Sequence, residues 1–110
     1  MRYTPITRNN DFQRAYMRGK SYVHPLLVLY VNKNRVRHTR LGITTTKKIG
    51  NALVRNRCRR IIKAALAQVL PKEVGGIDIV LVSRGATAHC KSTQLVPVLR
   101  QLLAQAGILP

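Results

Sequence analysis

At 110 residues the chain suits one domain, 1–110, and has no room for two. Apolar residues make up 45 % of it, enough for a packed core, which excludes a disordered basic tail. Twenty Lys and Arg face only Asp11, Glu73 and Asp78, a formal net charge of +17, and self-repulsion at that density calls for a polyanion, nucleic acid before anionic membrane.

From the N-terminus, Met1 to Pro5 lacks the apolar stretch of a signal peptide. Asn9 and Asn10 offer N-caps ahead of Asp11, an acid suited to a helix start. Phe12, Ala15 and Tyr16 then fall at i, i+3 and i+4, predicting a helix over about 10–18 that Gly19 closes. A short strand over Ser21–Val23 precedes the apolar run Leu26–Val31, which reads as a buried strand and is too short to span a bilayer. Asn32 to Thr39 is a polar turn region. Arg40–Thr46 reads as the hairpin partner of Leu26–Val31, and Lys47–Gly50 as a loop.

Asn51 caps a long second helix over about 51–70, and Pro71 ends it. Its apolar positions Val54, Cys58, Ile61, Ile62, Ala65 and Val69 fall in one stripe of about 100°. Ile77–Val82, entered through Gly75 and Gly76, is a further strand. Gln94–Ala106 is a last helix with Leu95, Val98 or Leu99, Leu102 and Leu103 as its core side, and Gly107 stops it. The order α-β-β-β-α-β-α, with one of those strands short, defines an α+β single domain. Its helices pack on a mixed, mostly antiparallel sheet. Cys58 and Cys90 are too few for a disulfide scaffold, and a buried free thiol fits Cys58. The expected location is the cytoplasm.

Residues 47–63 carry Lys47, Lys48, Arg55, Arg57, Arg59, Arg60 and Lys63 with no acid among them. On a helical wheel Arg55, Arg59 and Lys63 form an i, i+4, i+8 row, with Arg57 and Arg60 on the other side of the polar arc. All are expected to point away from the apolar stripe. Like charges at i, i+4 cost a few tenths of a kcal/mol per pair, so a partner is needed to neutralise them. Arginine takes phosphate bidentately and stacks on bases, which favours nucleic acid over a lipid surface. Ordinary solvated faces mix both signs; this one does not.

The aromatics are Phe12, Tyr3, Tyr16, Tyr22 and Tyr30. If the first helix lies on the sheet, Phe12, Tyr16 and Tyr30 line one concave surface. Rings beside cations suit unstacked bases of single-stranded RNA, and core packing explains them equally well. For catalysis by the protein itself the sequence offers nothing. The three acids are scattered, and His24, His38 and His89 have no partner at metal-ligand spacing. His89-Cys90 is adjacent rather than spaced as a zinc motif, and no phosphate-cradling glycine loop is present.

The run from Lys47 to Lys63, KKIGNALVRNRCRRIIK, closely resembles the signature of the bacterial ribonuclease P protein subunit, in which a Lys-Lys-x-Gly loop leads into a helix bearing Arg-Asn-Arg. The likeness extends to Asn10–Arg14, Arg18–Lys20, Leu27–Tyr30, Arg40–Ile43 and Asp78–Arg84. It thins after about Ala86. The resemblance implies an endoribonuclease subunit without catalytic residues of its own, whose RNA partner holds the active site and its Mg2+. It assigns Lys47, Arg55, Asn56, Arg57, Arg59, Arg60 and Lys63 to the RNA subunit. The single-stranded 5′ leader of precursor tRNA falls to Phe12, Tyr16 and Tyr30, with Lys48 and Arg84 at the rim. It tips Tyr16 and Tyr30 towards function, and it implies a left-handed β-α-β crossover, against the usual rule. No metal, membrane or small-molecule substrate is expected of the protein, which should be monomeric alone. Thr44-Thr45-Thr46 and Cys58 depart from the family's usual residues. The competing readings are a structural RNA-binding protein, such as a small ribosomal protein, and a membrane-surface protein. The second is disfavoured because the basic helix backs onto a core stripe.

Overall fold

The strand Ile77–Ser83 is apolar on both of its alternating faces, and a strand of that kind belongs where both faces are covered. In the computed structural model, which describes residues 3–70 and 75–109, it is the central strand. The elements are β1 (Thr4–Pro5), α1 (Asn9–Arg18), β2 (Lys20–His24), β3 (Leu27–Lys33), β4 (Arg40–Thr44), α2 (Ala52–Val69), β5 (Ile77–Ser83), a 3-10 helix (Gly85–His89) and α3 (Ser92–Gln105). The sheet order is β1-β4-β5-β3-β2. β5 runs antiparallel to β3 and parallel to β4; β3 pairs antiparallel with β2, and β1 parallel with β4. The longest stretch of register, between β3 and β5, is antiparallel.

β4 is therefore not the hairpin partner of β3. β5 lies between them, because its two apolar faces gain more from the centre of the sheet than the shorter β4, with Arg40 and Thr44 at its ends, does. β1 was not visible in the sequence: it is two residues long, contains Pro5, and has no period to detect. It is fixed by Thr4 N–H to Thr39 O at 3.0 Å and Ile6 N–H to Leu41 O at 2.8 Å. The Asn9 and Asn10 caps are also corrected. Arg8 is the N-cap, with no side-chain cap, and both asparagines lie inside the first turn. Asn51 does cap α2, its Oδ1 accepting from Val54 N–H at 3.0 Å. The expected stop at Pro71 lies outside the described residues. The 3-10 helix was not anticipated, and α3 starts earlier than expected, where Lys91 N–H reaches Gln94 Oε1 at 2.7 Å.

Alternation along the strands sends Leu27, Leu29, Leu41, Ile79 and Leu81 to one face, where α2 and α3 cover them. Each fully buried leucine or isoleucine there contributes roughly 1.5–3 kcal/mol. The opposite face carries Val80 and, with Ile6 and Ala15, forms a smaller cluster under α1. Gly42 permits that packing: a Cβ there would stand 2.4 Å from Phe12 Cε1.

The crossover's hand follows from residue chirality. Leu41 points its side chain at α2 and its carbonyl at β1. For an L-residue in a strand running upward, seen from its side-chain face, the backbone N–H and C=O point right. So β1 lies to the right of β4 and β5 to the left. With α2 in front, the β4-α2-β5 connection is left-handed, the rare sense. A single right-handed rule applied to the sequence would have built the mirror arrangement.

Both cysteines are buried free thiols. Burial pushes each thiol's pKa up, against the pull of Arg57 and Arg59 at Cys58.

Candidate nucleic-acid interface

α2 buries Cys58, Ile62, Ala65, Leu66 and Val69 and turns its other side outward. Asn56, Arg57, Arg60 and Lys63 are exposed, and Arg59 is half-buried. Arg59 Nη1 donates to Asn56 Oδ1 at 2.9 Å, which lays that guanidinium along the helix surface. Arg57 and Arg60 flank the α3 side, where a shallow depression of about 260 Å3 also touches Ser92. Arg59 and Lys63 flank the side facing β1 and β4.

Arg55 departs from expectation. It is half-buried, and its Nε is out of solvent with no hydrogen-bond partner. Leu66, absent from the expected stripe, is buried and widens the buried arc of α2. It follows Arg55 by eleven residues, or about 20° around a helix at 100° per residue, so Arg55 points in a direction that lies within that wider arc. Val54 and Ile61, expected in the stripe, are only partly buried.

No carboxylate among the described residues meets these cations. The ion pairs there are Arg14–Asp11 at 3.6 Å, Arg40–Asp11 at 3.4 Å and Arg40–Asp78 at 2.8 Å. Both described acids are thus engaged on the α1 side of the sheet. Asp78 is 2 % exposed and accepts from Arg40 Nε and Nη2, both at 2.8 Å, and from Asn34 Nδ2 at 2.7 Å. Burial pushes its carboxyl up, but the hydrogen bonds from Arg40 and Asn34 and the charge of Arg40 outweigh that. They hold it below the usual carboxylate range. The same pair raises Arg40. Arg14, Arg18, Lys33 and Arg35 surround this network in a groove of about 500 Å3, a basic cluster that sequence reading passed over. Arg14 and Arg18, one helical turn apart, were its only signal.

The Lys47–Gly50 loop presents Lys47 and Lys48 to solvent. Ile49 N–H bonds Thr46 O at 3.0 Å, and Gly50 takes φ 154°, where a Cβ would also press on Val54 at 2.9 Å. A glycine is required there to turn the chain into α2.

Phe12, Tyr16 and Tyr30 do share one surface, each half-buried against the Ile6–Ala15–Val80 cluster. Tyr16 and Tyr30 meet edge to face, with ring centroids 5.1 Å apart and planes at 75°. Tyr16 Oη and Thr44 Oγ1 lie 2.5 Å apart, so Thr44 fixes the ring, a role the sequence did not suggest. Val82 lies beside them, and alternation puts exposed Arg84 on the same face, two residues beyond it. Among the described residues no three of His, Cys, Asp or Glu converge as a metal site, and no helix is long and apolar enough to cross a membrane.

A basic α+β domain with an acid-free arginine helix on one side and a half-buried aromatic face on the other defines an RNA-binding protein. The chain belongs to the ribonuclease P protein family, whose members are protein components of the endoribonuclease of tRNA 5′ maturation: the family profile described as Ribonuclease P matches residues 1–107. A ribonuclease P protein component from Clostridium botulinum is 39 % identical over 109 residues, 98 % of each chain. One from Clostridioides difficile is 32 % identical, covering 94 % of this chain and 91 % of the relative. The solved RNase P protein of Staphylococcus aureus superposes with a TM-score of 0.79 at 30 % identity, over 96 % of this chain and 97 % of that one. That of Thermotoga maritima, at 24 % identity and a TM-score of 0.67, shares the fold. The family sets aside the ribosomal-protein alternative.

Proposed function

We propose that α2 and its lead-in loop dock this chain onto the catalytic RNA of ribonuclease P, and that the aromatic face receives the single-stranded 5′ leader of precursor tRNA. The observation that carries the reading is the cationic arc of α2, backed by the core and met by no carboxylate among the described residues. Lys47, Asn56, Arg57, Arg59, Arg60 and Lys63 supply phosphate contacts from its exposed side. Arg55, half-buried, orients rather than reaches. Unpaired bases stack on Tyr16 and Tyr30, with Phe12 as the packed floor and Lys48 and Arg84 steering the backbone. The Mg2+ ions of the cleavage step belong to the RNA. Asp11 and Asp78 are committed to Arg40 and offer no oxygen cage. On this reading the protein alone is a cytoplasmic monomer.

Tyr16→Ala tests the leader assignment. Holoenzyme carrying it should bind precursor tRNA more weakly by about 1–3 kcal/mol if one base stacks there, and mature tRNA as before. Equal losses for both RNAs would mean that Tyr16 serves only to pack α1.

A further inference from the structure

We propose that a pocket at the β1–β4 edge of the sheet, with Tyr3 as its platform, takes one unpaired nucleotide of the catalytic RNA; this rests on the docking of α2 proposed above. The pocket holds about 300 Å3, at the small end of ligand sites and suited to a single base. Its walls combine three kinds of group. Tyr3, Pro5, Leu41 and Ile43, with Phe12 on the α1 side, give an apolar and aromatic floor, and Arg59 and Lys63 bring two cations over it from α2. A base on the ring with its phosphate on the cations matches that arrangement, whereas a purely apolar ligand would leave both charges unused.

The platform is rigid before any RNA arrives. Thr4 N–H is bonded to Thr39 O and Ile6 N–H to Leu41 O, and Thr4 Oγ1 lies 3.0 Å from His38 Nε2. Tyr3 packs against the main core, so its ring is held rather than free. This gives a two-residue strand, too short to stabilise a sheet by itself, a second role in positioning Tyr3. The pocket also borders Phe12, the floor of the leader face, but its two cations, Arg59 and Lys63, belong to the basic arc of α2, which argues for the RNA subunit rather than the leader as the source of the nucleotide. The leader is assigned to the face that Tyr16 and Tyr30 occupy.

The chain has no tryptophan, so Tyr3→Trp places its one tryptophan, which can be excited apart from the tyrosines, in the pocket. Its fluorescence should be quenched when bacterial ribonuclease P RNA is added without precursor. Tyr3→Ala should weaken binding of that RNA about 5- to 150-fold, the range of one lost stacked base, while Tyr3→Phe binds as wild type. Circular dichroism melting of each variant identifies any that fails to fold. Quenching only after precursor is added would assign the pocket to the leader and overturn the proposal. Unchanged emission, with Tyr3→Ala binding normally, would overturn it as well. If Arg60→Ala still weakens binding in that case, the docking of α2 stands and only the pocket fails. If the wild-type protein does not bind the RNA, the failure lies with the docking itself.

Discussion

Replacing Arg57 and Arg60 together by alanine should lower affinity for the ribonuclease P RNA by about 100-fold, taking roughly 1.5 kcal/mol for each charge-assisted contact. Both side chains are exposed, and neither forms an ion pair with a described carboxylate, so their removal costs the fold little. The loss should appear in the salt dependence too. Each phosphate contact removed should flatten the log–log slope by roughly 0.7–0.9. Titrations between low and physiological salt measure both quantities. An unchanged slope with reduced affinity would place the defect in shape rather than charge. Arg55→Ala should behave differently, because Arg55 is half-buried: part of its loss should appear as a lower melting temperature.

Asp78→Ala should be the most destabilising change outside the apolar core, costing about 3–5 kcal/mol. It leaves the Arg40 guanidinium, 18 % exposed, with Asp11 as its one remaining acid at 3.4 Å. That is a large share of the stability of a domain this size. Wild-type stability should fall in acid for the same reason. The folded carboxyl of Asp78 titrates below its unfolded value of about 3.9. Its contribution is therefore complete above that value and is lost as pH drops through the depressed folded value. Chemical denaturation at several pH values checks this. A profile that stays flat well below about pH 3.9 would show that the ionised Arg40–Asp78 pair adds nothing net. The network also has a functional consequence. By occupying Asp11 and Asp78, the two acids among the described residues, on the α1 side, it keeps both of them from α2.

Much of this was legible in the residues. The helices announced themselves through apolar spacing, and α2 through an acid-free run of arginines opposite a stripe. The shared face of Phe12, Tyr16 and Tyr30 followed from one assumption, that α1 lies on the sheet. What stayed hidden depends on partners distant in the chain. The insertion of β5 between β3 and β4 is a competition among strands for the centre, which no local pattern reports. β1 exists only because β4 offers it an edge. The half-burial of Arg55 was missed because the stripe was drawn without Leu66, whose burial widens the arc to the direction of Arg55. Thr44 gained its role from a hydroxyl 28 positions earlier.

Cleavage of precursor tRNA by ribonuclease P RNA at low Mg2+, with and without this protein, puts the assignment to its most direct trial. Added protein should raise the rate well above that of the RNA alone, and the gain should vanish with the Arg57/Arg60 double alanine variant. Cleavage that proceeds no faster with the wild-type protein than without it would contradict the role given to α2.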